Sequence, residues 1–500
     1  MLFNSYPFLL GFLPIALLIF FVLGRRSHLL AAGWLALASL FFYAWWSPAA
    51  LPLLIISICM NYRFGLLLSP REEVGQSRRK AWLIAALVLN LLVLAYFKYA
   101  NFFISNINVA LQMTSGAQLR ALHVVLPIGI SFFTFTQIAF LVDCYEGKVQ
   151  ERRFIHYVLF VSYFPHLISG PVLHHSQMMP QFRSAQTYSP LLSNLLAGML
   201  GLTIGLAKKV LLADEFSQYA TPVFDAASAG HEVGQLAAWS GALAYTLQIY
   251  FDFSGYSDMA VGLSRLFGIQ LPLNFNAPYK ATSIIEFWRR WHMTLSQFLR
   301  DYLYVPLGGN RHGAARRYGN LMTTMLLGGL WHGASWTFVA WGGLHGAYLL
   351  INHMWRSVAT RLPRPGRLLG SAGTAAGAVL TFVAVVIAWV PFRATTFAGA
   401  QAMLTAMFSA DPVGARLQTF AAVFRNIDVP PTSFDYLGGF MAGGFAIVWL
   451  LPTTQIVVPR FAAMQGRRAW FCVGMLLFGA ALLAVINASN NSSEFIYFNF

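Results

Sequence analysis

An all-α fold, a multi-pass helical bundle in a membrane, is what this sequence predicts, and three observations predict it. The 500 residues are 57% hydrophobic and only 10% charged, far below the roughly 25% charge of a soluble globular domain. Apolar runs recur from end to end, most of them approaching the ~20 residues that carry a helix across a bilayer. Polar and ionisable residues are concentrated in the middle of the chain, inside hydrophobic context, where they are costly unless they face a cavity or a partner.

The elements follow in order. Phe8–Leu23, Leu29–Trp46, Leu51–Leu68 and Ala81–Phe97 read as the first spans, Leu195–Ala207 as a later one, and Ala375–Val390, Gly438–Leu451 and Trp470–Ile486 as the last. With the shorter, more polar runs between them, about eleven to thirteen membrane helices are expected, some broken or re-entrant. The first run starts almost at Met1 with no basic leader and no small-residue cleavage site after it, so it reads as a retained span and not as a signal peptide. Basic groups at Arg25 and Arg26, at Arg71, Arg78, Arg79 and Lys80, at Lys148, Arg152 and Arg153, and at Lys208 and Lys209 mark inner-face loops. The formal charge of +16 thus reports topology, and no clustered basic domain supports nucleic-acid binding. Cys59, Cys144 and Cys472 have no metal-type or redox-type spacing. No linker composition and no repeat divides the chain, so residues 1–500 are expected to form one membrane domain with its functional core at about 126–350.

Within that core, Pro127 with Gly129, Pro165 with Gly170 and Pro171, and Pro272 with Pro278 interrupt apolar runs. Broken helices are tolerated at membrane depth only around protein or a watered cavity, so a central chamber is expected. The segment Ser283–Asp301 is too charged to face lipid throughout. Drawn as one helix, it puts Trp288, His292 and Ser296 on one stripe with Arg289 adjacent, and pairs Glu286 with Arg290 at i, i+4. It could equally be an interfacial amphipathic helix with His292 packed between tryptophans.

His332 lies in the apolar segment Leu326–Trp336. A helix sets Gly328 and Gly329 one turn before it and Ser335 and Trp336 one turn after, leaving bare backbone with room for a ligand. An imidazole removed from water is neutral near pH 7 and can take a proton from an attacking hydroxyl or thiol. Close helix packing through the glycines explains the same pattern as well. His345 again sits among glycines, and His166, His174 and His175 cluster in PHLISGPVLHH. Neither group has the i, i+4 histidine pair with a flanking carboxylate of a helical zinc motif, so no metal is expected. Asp252 and Asp258 stand in an apolar segment, where pairing with Arg289 or Arg290 is as good a reading as chemistry. There is no GxSxG elbow, Walker loop or dinucleotide fingerprint.

Taken together, YFPHLISGPVLHHSQMMPQF (Tyr163–Phe182), QIYFDFSGYSDMAVGLSRLFG (Gln248–Gly268), NFNAPYKATSIIEFWRRWHMTLSQFLRDYLYVPLGGNR (Asn274–Arg311) and MLLGGLWHGASWTFVAWGGLHG (Met325–Gly346) resemble the membrane-bound O-acyltransferase family. The likeness extends through FFYAWW (Phe41–Trp46), YFKYANF (Tyr96–Phe102), LPIGISFFTF (Leu126–Phe135) and FIYFNF (Phe495–Phe500). The resemblance implies a helical membrane bundle with an outer funnel and a cytoplasmic tunnel meeting at a histidine. By its place in LWHG, His332 corresponds to that catalytic histidine, and His292 in WRRWH to the second signature histidine. Arg289, Trp288, Ser296, Asp258, Gly328, Gly329, Trp331, Ser335 and Trp336 are then the expected substrate-binding residues.

What the family further implies is transfer of an acetyl group from a cytoplasmic thioester, acetyl-coenzyme A or another, to an extracytoplasmic exopolysaccharide of the alginate or cellulose kind. The expected setting is the bacterial inner membrane, with no bound cofactor. Expected partners are a periplasmic acetyl-transfer protein with a serine nucleophile, a polysaccharide synthesis and secretion complex, and membrane lipids. A transporter or flippase for a polysaccharide or lipid-linked intermediate is the competing reading, since broken helices and buried charge also line substrate pathways. A scaffold for a polysaccharide synthase is a third.

Overall fold

Helices begin where the apolar runs do. In the computed structural model, residues 1–70, 75–114, 118–361, 367–410, 423, 432–489 and 495–496 are described, and their regular secondary structure is all helical. Arg71 and the last four residues of the FIYFNF segment lie outside them. The first spans are α1 (Leu13–Gly24), α2 (His28–Trp46), α3 (Leu51–Leu68) and α4 (Gln76–Leu94). Then come α5 (Ala100–Thr114), α6 (Ile130–Tyr145) and α7 (Phe154–Ser162), followed by α8 (Leu192–Ala207), α9 (Asp214–Ser228) and α10 (Gln235–Leu266). Beyond these stand α11 (Ile284–Arg290), α12 (Met293–Leu299), α13 (Gly313–His332), α14 (Trp336–Ala359) and α15 (Arg367–Arg393). The series ends with α16 (Phe397–Met407), α17 (Thr432–Leu450), α18 (Thr454–Ala462) and α19 (Gly466–Ser489).

Among the described residues, seven helices are long and apolar enough to cross a membrane, and an eighth results if the pair Leu437–Leu450 and Thr454–Ala462, bent by 64°, is one broken span. That is fewer than the eleven to thirteen expected from the sequence; α6 is apolar but shorter, at 16 residues. Every long apolar run read from the sequence coincides with one of these helices. Lys208 and Lys209 are a correction: they lie in a continuous helical stretch, Leu192–Ser228, and not in a loop. Lys209 is 1% exposed, with its Nζ 2.8 Å from Asp252 Oδ1 and 2.8 Å from Asp214 Oδ1. Asp252 therefore finds its cation on Lys209 and not on Arg289 or Arg290. A buried ammonium is tolerable only when paired in this way.

The chain divides into two units, one made of Met1–Leu206, Tyr256–Leu273 and Ile456–Asn499, the other of Ala207–Gly255 and Asn274–Gln455. In the first, α3, α4, α6 and α7 are joined by side-chain amides. Asn61 and Asn90 exchange hydrogen bonds of 3.1 and 2.7 Å, Gln137 Nε2 donates to Ser57 Oγ at 2.8 Å, and the Tyr157 hydroxyl donates to Gln137 Oε1 at 3.1 Å. Such bonds substitute for the hydrophobic drive that lipid does not supply between helices. Asp258 belongs to this unit and is half-buried, its backbone carbonyl lying against Gly201 of α8.

In the second unit α13 and α14 form a tight antiparallel hairpin. A Cβ added at Gly329 would stand 2.3 Å from the Phe338 carbonyl oxygen, and one at Gly342 would stand 2.3 Å from that of Met325. Backbones meet at both positions, which only glycine allows. The bare glycine face at Gly329 is thus filled by the neighbouring helix, and Gly328 has Leu299 Cδ1 3.3 Å from where its Cβ would be. Of the two readings the sequence left open for these glycines, ligand space or close packing, the contacts are those of close packing that holds the histidine segment in place.

Candidate active site

The expected single helix over Ser283–Asp301 breaks at His292. Ser283 caps α11, its side chain accepting the Glu286 amide proton, and the helix stops at Arg290. His292 has φ 42° and ψ 53°, the left-handed region that a non-glycine residue occupies only when its surroundings compel it. Trp288, His292 and Ser296 therefore do not share one helical stripe. The predicted Glu286–Arg290 pair forms, with Arg290 Nη2 donating to Glu286 Oε1 at 2.7 Å. Glu286 also accepts from the Thr282 amide and hydroxyl, and the Thr282 amide foremost holds this carboxyl below its ordinary range.

What compels His292 is Asn274. The Thr294 N–H and hydroxyl donate to Asn274 Oδ1 at 3.3 and 2.9 Å, and His292 Nδ1 lies 3.1 Å from the same oxygen. A backbone amide can only donate, so the atom facing it is the carbonyl oxygen, and Nδ1 of His292 must carry the proton. Its Nε2 is left with the lone pair. The Met293 amide donates to the Asn274 carbonyl at 2.9 Å and completes the clamp.

His332 is the last residue of α13. Gly333 is extended and Ser335 caps α14 through a 3.3 Å bond from the Thr337 amide, so the chain reverses there. Ser335 and Trp336 are accordingly not one turn beyond His332 on the same helix, and Trp336 turns outward at 57% exposure. His332 itself is 3% exposed and His292 0%. Their ring centroids are 6.5 Å apart. Trp331 packs at 4.8 Å from the His332 ring, Trp341 edge-on at 5.0 Å and Phe392 at 5.2 Å, while Phe253 stands edge-on to His292 at 4.7 Å.

On the far side of Trp341, His345 is buried with its ring 4.9 Å away and 5.1 Å from Trp288. Neither ring nitrogen of His345 has a hydrogen-bond partner among the described residues. The second unit thus brings together His292, His332, Trp288, Trp331, Gly328 and Gly329 from the expected set, and adds His345. Ser296 is half-buried, with its hydroxyl turned back to the Trp291 carbonyl at 3.5 Å, and Arg289 is exposed. Asn274, Trp341, Trp389 and Phe392 were not singled out in the sequence. For Trp389 and Phe392 the available signal was Pro391 within an apolar run outside the expected core of 126–350.

The profile of the membrane-bound O-acyltransferase family matches residues 78–390. A Helicobacter pylori protein named peptidoglycan O-acetyltransferase is 40% identical over 454 residues, covering 85% of this chain and 83% of its own. A probable alginate O-acetylase of Azotobacter vinelandii is 42% identical over 411 residues, 82% of this chain and 78% of its own. A teichoic acid D-alanyltransferase of Bacillus subtilis is 30% identical over 228 residues, 44% of this chain and 56% of its own. With a family match over most of its length and relatives named for acyl transfer, the chain belongs to the membrane-bound O-acyltransferase family and is a multi-pass membrane acyltransferase.

Proposed function

We propose that the protein moves an acetyl group from a cytoplasmic acyl thioester, such as acetyl-coenzyme A, to a hydroxyl acceptor for O-acetylation of a polymer outside the bacterial inner membrane. The observation that carries this reading is the pair of buried histidines, His332 and His292, the second fixed in one tautomer by Asn274. The acceptor oxygen attacks the thioester carbonyl while an imidazole nitrogen of His332 takes its proton. The carbon–sulfur bond breaks, the new ester forms, and the proton leaves with the thiolate. His292, with its Nε2 lone pair, accepts from the acceptor hydroxyl and orients it beside His332. The aromatic wall of Trp331, Trp341 and Phe392 keeps water from competing.

The relatives named for alginate and for peptidoglycan acetylation support a carbohydrate polymer, with an exopolysaccharide of the alginate or cellulose kind as our reading. The immediate acceptor is the serine of a periplasmic partner that then acetylates the polymer within a synthesis and secretion complex. Polymer-bound acetate in cells carrying wild type or His332→Ala, at matched membrane abundance, tests the proposal. Near-complete loss of acetate with continued polymer export is expected. Retained acetylation makes His332 structural and ends the reading, and loss of export in step with acetate favours transport.

A further inference from the structure

We propose that the first unit carries a site for a divalent transition-metal ion of the zinc type, built from Asp143, His174 and His175. The three side chains each offer one ligand atom, and these atoms lie within 4.8 Å of one another. Asp143 stands near the end of α6, and its Oδ2 lies 2.7 Å from His174 Nε2 and 3.1 Å from His175 Nε2. Consecutive histidines seldom aim at one atom. Here they do because His174 is extended, at φ −98° and ψ 137°, and caps the short helical turn His175–Met178, which sets the two rings side by side at 4.5 Å.

The donor set is the one zinc takes, two imidazole nitrogens and a carboxylate oxygen, with a fourth ligand from solvent. Ligand atoms about 2.0–2.1 Å from a tetrahedral ion are roughly 3.3 Å apart, so the two carboxylate–imidazole separations of 2.7 and 3.1 Å would open by about 0.2–0.6 Å, while the two imidazole ligand atoms already lie within 4.8 Å of each other. The Ser176 amide donates to His174 Nδ1 at 3.3 Å, with Ser176 Oγ 2.5 Å from the same nitrogen, so His174 Nε2 carries the proton towards Asp143 and releases it when a metal takes that place. The Phe140 ring stands edge-on at 6.1 Å from His175 and makes one wall apolar. His174 is the outermost ligand: its side chain is 30% exposed, whereas Asp143 and His175 are buried. The loop after α6 carries Lys148, Arg152 and Arg153, the kind of basic group that faces the cytoplasm, so the ion would arrive from there. Once bound, it would clasp the end of α6 to the 174–175 turn. The inference is independent of the acyl-transfer reading, since it concerns binding alone.

The test uses the full chain purified in detergent, stripped with chelator and titrated with Co²⁺. Calorimetry and visible d–d absorption follow the titration, and Zn²⁺ is then added as a competitor. One Co²⁺ per chain, displaced by Zn²⁺, is expected. Binding should weaken at least about tenfold in His174→Ala and in Asp143→Asn, and stay unchanged in His166→Gln, whose imidazole instead meets the Phe160 carbonyl at 2.9 Å. Because Asp143 is buried and its variant can misfold, the half-exposed His174→Ala carries the decision, with thermal unfolding confirming its fold. No stoichiometric uptake by wild type, or uptake undiminished in folded His174→Ala, overturns the proposal.

Discussion

Asn274 is the residue on which the geometry of the second signature histidine depends. Its Oδ1 gathers three contacts from His292 and Thr294, and its backbone carbonyl takes a fourth from Met293. Asn274→Leu keeps the volume and removes the acceptor, leaving the Thr294 amide and the His292 ring without it. Each buried donor left unsatisfied costs about 1–3 kcal/mol, and a reacting group displaced by an ångström can lose about 10²-fold in rate. The expected outcome is a protein that reaches the membrane at reduced thermal stability and acetylates polymer about a hundredfold less, read by polymer-bound acetate against abundance. The sequence made His292 visible through its charged and aromatic surroundings. Its left-handed backbone was not visible, because positive φ is uncommon at any non-glycine residue, histidine included, and the partner that imposes it lies 18 residues upstream.

The α13–α14 hairpin carries its prediction in two glycines that look alike in WGGLHG. Gly342→Ala drives a Cβ to 2.3 Å from the Met325 carbonyl oxygen, whereas at Gly343 the nearest atom is Leu326 Cδ2 at 3.6 Å, ordinary contact. Gly342→Ala should therefore lower stability by about 1–3 kcal/mol, as overpacking does, and Gly343→Ala should be close to neutral; thermal unfolding in detergent separates them. Element positions were largely legible in the chain, since long apolar runs have few alternatives in a membrane and every one of those read became a helix. What stayed hidden was tertiary. A continuous helical pattern over Ser283–Asp301 conceals a break made by a distant asparagine, and Lys209 looks like a loop marker until two carboxylates arrive beside it. Phe392, beside His332, and Trp389, beside His345, come from a helix far down the chain, and no local pattern ties them to those histidines.

At the scale of the whole molecule, the buried Lys209 ammonium is matched by two carboxylates, those of Asp214 and Asp252. Lys209→Met would leave Asp214 and Asp252 facing each other in a buried place, a change that costs about 3–5 kcal/mol when one partner of an internal pair is removed. Membrane abundance of this variant should fall steeply, and Lys209→Met combined with Asp252→Asn should recover part of it, measured by quantitative immunoblot of membranes. The aromatic shell around His332 has a different consequence, for economy of the donor. A thioester held beside a base is open to hydrolysis, and each hydrolysed molecule would be a futile turnover that drains the cell's activated acyl pool. Trp331, Trp341 and Phe392 stand around the imidazole, and on the proposed mechanism they keep transfer waiting for an acceptor hydroxyl. Phe392→Ala should uncouple the two: free thiol released without matching acetate on polymer, a leak measurable in purified protein with no acceptor present.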